Sequence, residues 1–167
     1  MASLILIRHA EAEGFSSAGD LGRRLTSEGQ KQAKRLGFAL TRLNLRPEVA
    51  ISSPAERARR TLEIALGQAS ISVPVEIERR IAPAHSLEDH LSALAERGEE
   101  RVLICGHNPA LTELASFLAG AGRFQFTVRV DRGALAVFEL RGSFATIAEA
   151  GAMLRLLLQP RELERLI

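Results

Sequence analysis

The residues best suited to chemistry stand in three short segments: Arg8-His9, the stretch from Ser53 to Thr61 with Arg57 inside it, and Gly106-His107. Histidine supplies a nucleophile or base that titrates near neutrality. Arginine supplies a fixed fork of donors matched to phosphate or carboxylate oxygens. Brought together, two such histidines and two such arginines suit a negatively charged substrate. The elements that must position them point the same way. Arg8-His9 and Gly106-His107 each fall at the carboxyl end of a run that reads as a buried strand, SLILIR and RVLIC. Ligands of open α/β sheets bind just outside such ends. The last segment also runs into Asn108-Pro109, which reads as a helix cap followed by proline, and a helix N-terminus favours an anion.

Short apolar runs alternate with longer amphipathic ones along the chain, the pattern of an α/β domain. Strands are expected over 3–8, 48–52, 73–78, 101–105, 125–130 and 134–140, while 152–158 fits strand and helix equally. Thr26 precedes a helix on which Leu36, Ala39, Leu40 and Leu43 share one face. Ser53-Pro54 reads as a cap with proline at the first helical position, opening a helix to about Gly67. Ser86 with Asp89 reads as a capping box. No repeat, low-complexity tract or linker interrupts the 167 residues, so one domain over 1–167 is expected.

Composition narrows the partners. With 46% hydrophobic and 25% charged residues, the chain has the balance of a soluble globular protein rather than a disordered, collagen-like or disulfide-stapled one. No apolar run reaches the roughly 18 residues of a membrane helix, and the apolar N-terminal stretch is too short for a secretory signal. Cys105, the single cysteine, lies in VLIC and reads as a small buried hydrophobe in a reducing compartment, so a cytoplasmic location is expected. A formal charge of +2 and the absence of Trp and Tyr argue against nucleic acid. Arg59 and Arg60 read as an exposed helix face. His85 and His90 read as surface or capping residues, with His85 at the rim of the site. Gly120-Ala121-Gly122 follows no strand and lacks a third glycine, so it is not a dinucleotide fingerprint.

The ordered set RHA at 8–10, SPAERARRT at 53–61 and GHNP at 106–109 resembles the histidine phosphatase superfamily, the phosphoglycerate mutase-like fold. LTSEGQKQA at 25–33 adds a further match. The pattern D-x-x-R-x-L-T from Asp20 to Thr26 and the closing LRLLLQPREL are similar to the SixA-type phosphohistidine phosphatases. Ala10 stands where the family more commonly has glycine. The resemblance covers nearly the whole chain. It implies a three-layer α/β sandwich with a mostly parallel central sheet flanked by helices.

It also implies roles. His9 becomes the nucleophile that carries phosphate, Arg8 and Arg57 bind the phosphate oxygens, and His107 adds a donor, protonated while phosphate is bound. Neither a metal nor another cofactor is implied. Asp20 is a candidate general acid and equally a salt-bridge partner of Arg23, which extends the anion site. Glu11 is a second choice of acid, otherwise an exposed loop carboxylate, whereas Glu76, Glu78 and Glu88 match no acid motif. Alkoxide leaving groups need a proton and imidazole is a far weaker base, so a site without a well-placed acid suits P–N bonds. The leading expectation is therefore a metal-independent phosphatase acting on phosphohistidine in a partner protein. A phosphatase of small phosphate monoesters and a non-catalytic phosphate-binding module are the alternatives. Short connections leave little chain for a lid, so the site should be open.

Overall fold

The computed structural model describes residues 1–120 and 127–166. Its sheet has six strands in the order β3-β2-β4-β1-β5-β6. These are β1 (Ser3–Arg8), β2 (Val49–Ser52), β3 (Val75–Ile77), β4 (Arg101–Gly106), β5 (Leu135–Leu140) and β6 (Ala152–Leu158). Strands β3, β2, β4 and β1 pair in parallel, β5 joins β1 antiparallel, and β6 joins β5 antiparallel. The sheet is the mostly parallel α/β arrangement expected, with β5 and β6 antiparallel at one side.

The apolar run of β1 sits at the centre because both of its faces are covered. Leu4 and Leu6 pack with α3 (Leu87–Ala95), α4 (Ala110–Ala119) and α5 (Ile147–Ala150) through Leu94, Leu111, Leu114 and Ile147. Ile5 and Ile7 pack on the opposite side with α1 (Ser27–Arg42), α2 (Glu56–Gln68) and α6 (Pro160–Glu164) through Leu36, Leu40, Leu62 and Leu163. Burying each such side chain is worth about 1.5–3 kcal/mol, which holds the three layers together. Thr26 caps α1 by accepting the Gly29 N–H, and Ser86 and Asp89 form the reciprocal capping box of α3.

Several expectations change. Ser53 does not cap α2, which starts at Glu56 with Ala55 as its cap residue. Ser53 Oγ instead accepts the Ala55 N–H. Asn108 does not cap α4 either. Pro109 takes that place after a cis peptide bond, and the Asn108 amide donates to the Val130 carbonyl. The strand expected over 125–130 is not formed over 127–130, and residues 125 and 126 lie outside the described residues, as do Ala121 and Gly122. Val128 and Val130 are buried in alternation as a strand would have them, but their N–H groups donate to Ser116 and Thr112 hydroxyls of α4 instead of a ladder. Residues 152–158 resolve as strand. His90 is buried, with its Nδ1 bonded to the Ser86 carbonyl, because it falls on the inward face of α3.

Register brings the chemical segments together. Arg8 of β1 lies opposite Gly106 of β4, and Ser52 of β2 lies opposite Cys105. The His9 N–H then donates to the Gly106 carbonyl and the Ser53 N–H to the Cys105 carbonyl. Three neighbouring parallel strands thus end side by side, and each hands over one segment.

Candidate active site

The strand ends open onto a cleft of about 350 Å³ whose walls include Arg8, His9, Asp20, Arg23, Arg57, His107, Asn108 and Arg132. All six residues expected at a site therefore meet there. His9, Arg57 and His107 are buried polar side chains on its floor.

His9 is held as a neutral imidazole with a defined tautomer. Its Nδ1 lies 2.8 Å from the Ala10 carbonyl, an acceptor, so Nδ1 carries the hydrogen and Nε2 keeps its lone pair. Burial pushes its pKa down to about 4. The Ala10 hydrogen bond opposes that shift, and the positive charges of Arg57, Arg8 and Arg23 add to it. The loop behind it is pinned where the Ala10 N–H donates to Thr61 Oγ1, whose own hydroxyl donates to the Arg57 carbonyl. One threonine of α2 thus ties the segment of His9 to Arg57.

His107 is oriented by the same logic. Arg57 Nη2 can only donate, so His107 Nδ1, 3.4 Å away, accepts. Nε2 then carries the hydrogen and donates to Ser53 Oγ at 2.8 Å. Burial, with the nearby His9 and Arg57, pushes its pKa down to about 3, while Asp20 opposes the shift. His107 is therefore neutral near pH 7. The two rings sit with centroids 4.9 Å apart.

The cleft crowds cationic groups. Arg8 donates Nη1 to the Val130 carbonyl, and burial followed by the charge of Arg132 lowers its pKa. A bound anion relieves such like-charge crowding. Among the described lining residues, Asp20 is the one carboxylate. Its Oδ2 accepts from Arg57 Nη2 at 3.0 Å, its Oδ1 from Arg23 Nε at 2.9 Å, and its backbone carbonyl from Arg57 Nη1 at 2.7 Å. Burial alone would raise the Asp20 pKa, but the hydrogen bonds and charges of Arg57 and Arg23 outweigh it and hold the carboxyl below its ordinary range. Asp20 is thus the ionised partner of two arginines, Arg57 and Arg23.

The other acids stand away from the cleft walls. Glu11 is half-buried rather than exposed, and accepts the Thr26 hydroxyl. Glu76 pairs with Arg97 and Glu78 with Arg80. Glu88 is exposed, and His85 bonds Asp89 outside the cleft wall. Arg59 and Arg60 are half-exposed and paired along α2, as expected of a solvated face. Sequence reasoning missed Ser53 as the holder of His107, Thr61 as a tie, and Arg132 as a wall residue. The S-P-x-x-R-A-x-x-T pattern contained the first two, whereas in a chain with 20 arginines nothing marks the third.

Known proteins share this architecture. The sequence model of the histidine phosphatase superfamily (branch 1) matches residues 4–85. A phosphohistidine phosphatase SixA homologue of Haemophilus influenzae is 31% identical over 133 residues, covering 71% of this chain and 77% of that protein. A 2,3-bisphosphoglycerate-dependent phosphoglycerate mutase of Thermobifida fusca is 33% identical over 113 residues, 62% of this chain but 45% of the mutase. A corresponding mutase of Streptomyces griseus is covered to 43%, so the chain spans less than half the length of these relatives. A structure assigned as SixA from Nakamurella multipartitia superposes with a TM-score of 0.81 at 26% identity, covering 95% of this chain and 96% of that one. The protein histidine phosphatase SixA complexed with tungstate also superposes at 0.81, with 21% identity over 96% of this chain and 99% of that one, and shares the fold.

Proposed function

Since the chain belongs to the histidine phosphatase superfamily, we propose that it removes the phosphoryl group from phosphohistidine in a partner protein by passing it through His9. The observation that carries this reading is the state of His9: neutral, its Nδ1 hydrogen committed to Ala10 and its Nε2 lone pair free, on the floor of an arginine-lined cleft. In the first step the phosphate oxygens meet Arg8, Arg57 and Arg23, displacing the Asp20 carboxylate from Arg57. The Nε2 lone pair attacks phosphorus while the P–N bond of the substrate breaks; its electron pair leaves on the substrate ring, which, protonated on its other nitrogen, departs as neutral imidazole. In the second step water attacks phosphorus, the P–Nε2 bond breaks, and the pair returns to His9 as inorganic phosphate leaves. A phosphate dianion beside His107 favours a proton on its Nδ1, turning an acceptor into a donor toward the transferring group. Phosphoryl transfer asks for positioning and charge neutralisation, which fixed guanidinium groups supply without a metal.

The ionised Asp20 favours a P–N substrate. Imidazole leaves as a base whose conjugate acid has a pKa of about 6.5 and needs no strong acid beside it, whereas an alkoxide does. Similarity to phosphoglycerate mutases supports a second reading, a small phosphate monoester as substrate. The test measures phosphate release, with chelator present, from a phosphohistidine-bearing protein and from an aryl phosphate, for wild type and His9→Ala. Efficient turnover of the phosphoprotein that is lost in His9→Ala supports the proposal. Turnover of the aryl phosphate alone moves the substrate to small esters, and activity surviving the substitution refutes the mechanism.

A further inference from the structure

Beside the phosphate cleft the chain holds an aromatic side chain in water. Phe15 is 79% exposed, and Leu21, on the same loop, is 49% exposed. The loop keeps its own shape. Ala12 and Leu25 bridge at its neck, the Glu13 N–H donates to the Arg24 carbonyl, and the Gly19 N–H donates to the Ser16 carbonyl. Arg23 clasps it from inside, donating Nη1 to the Glu13 carbonyl and Nε to Asp20. Gly22 is pressed so close to Ala18 that a Cβ on it would lie 2.7 Å from the alanine methyl. A loop built this tightly presents its aromatic residue in a fixed place.

That place adjoins the site. Gly14, Phe15, Ser16, Gly19, Asp20 and Arg23 surround a hollow of about 460 Å³, and Asp20 and Arg23 also line the phosphate cleft. Whatever rests on Phe15 is therefore continuous with whatever holds the phosphoryl group. Its glycine rim is open: among the described residues, the positions a Cβ would take on Gly14 and Gly19 meet no atom within 4 Å. Small ligands are enclosed over most of their surface by the pockets that bind them. A shelf with one apolar wall suits a convex macromolecular surface, which brings the second wall with it.

We propose that Phe15 is the docking shelf for an apolar side chain that neighbours the phosphohistidine of the protein substrate, and that it sets preference among such substrates. This rests on the phosphohistidine reading of the same cleft. Three substrates test it: free phosphohistidine, a phosphohistidine peptide with flanking leucines, and its twin with serines in their place. Wild type should favour the leucine peptide over the serine twin in kcat/KM by about tenfold or more, the worth of burying such side chains. Phe15→Ser should erase that preference and leave free phosphohistidine unchanged. Equal turnover of the two peptides by wild type, or a loss on all three substrates alike in Phe15→Ser, overturns the proposal. The chain has no Trp, so Phe15→Trp supplies a single indole reporter. A blue shift of its emission with the leucine peptide and none with the serine twin supports docking, and no shift overturns it. If wild type releases phosphate from none of the three while Trp emission shifts, the phosphohistidine reading fails and the docking shelf stands.

Discussion

Replacing Asp20 by Asn tests whether this carboxylate competes with substrate or donates a proton. Asn keeps the shape and one oxygen acceptor but removes the charge. Asp20 Oδ2 lies 3.0 Å from Arg57 Nη2, so a phosphate oxygen on that nitrogen would stand about 6 Å from the carboxylate. One carboxylate and a dianion at about 6 Å repel by about 1.4 kcal/mol at the dielectric of water and more inside a cleft. The Asp20 side chain is 55% exposed, which argues for the watery limit. Phosphate or orthovanadate should then inhibit Asp20→Asn at about tenfold lower concentration than wild type. The loss of fold stability should be about 1–3 kcal/mol, because the buried Arg57 loses its charged partner and keeps only a neutral acceptor. The assay is inhibition of aryl phosphate hydrolysis, whose leaving group needs no acid, run beside phosphohistidine turnover. Unchanged inhibition together with a fall of about 10² or more in phosphohistidine turnover would make Asp20 a proton donor and refute the reasoning.

Further outcomes follow from buried groups. The proposed nucleophile is the neutral form of His9, whose pKa is pushed down to about 4, so kcat/KM should hold down to that region and fall only below it, in a pH–rate profile of the free enzyme. His9 and His107 both have folded pKa values below the ordinary 6.5, so the unfolded state takes up protons first. Stability should decline as pH falls from about 6.5 toward 4, by about 1.4 kcal/mol per pH unit for each histidine, in denaturant titrations. Ser53→Ala leaves the His107 Nε2–H and the Ala55 N–H without their acceptor in a fully buried place. It should cost about 1–3 kcal/mol, read as a Tm loss of about 2–4 °C per kcal/mol, and lower kcat by freeing His107. Gly29→Ala would set a Cβ 1.9 Å from the Glu11 carbonyl, forcing α1 away from the loop that follows His9. A cost of about 3 kcal/mol is expected from the denaturation midpoint.

Much of this arrangement is legible in the sequence because its signals are local. LILI and VLIC read as strands buried on both faces, and the polar residues that follow them were expected at the carboxyl end of the sheet, where Arg8, His9 and His107 are found. What escaped depended on partners distant in sequence. Thr127 to Val130 alternates like a strand, yet its backbone bonds to hydroxyls of α4, a choice no period-2 pattern reveals. Ser53 followed by proline has the form of a helix cap, but His107, brought alongside by β4, claims its hydroxyl as well. His90 looked like a surface residue because its polarity outweighed its place on the inner face of α3. The motif around Asp20 pointed to Arg23 as its partner, but the contact with Arg57, 37 residues away, comes only from the fold.

The most direct test of the central claim is a rapid-quench experiment with phosphorus-labelled phosphohistidine substrate, followed by peptide mapping. The account predicts acid-labile, base-stable label on the peptide containing His9 during turnover, and none in His9→Ala. Turnover with no label on His9 at any quench time, or label on His107 instead, would contradict it.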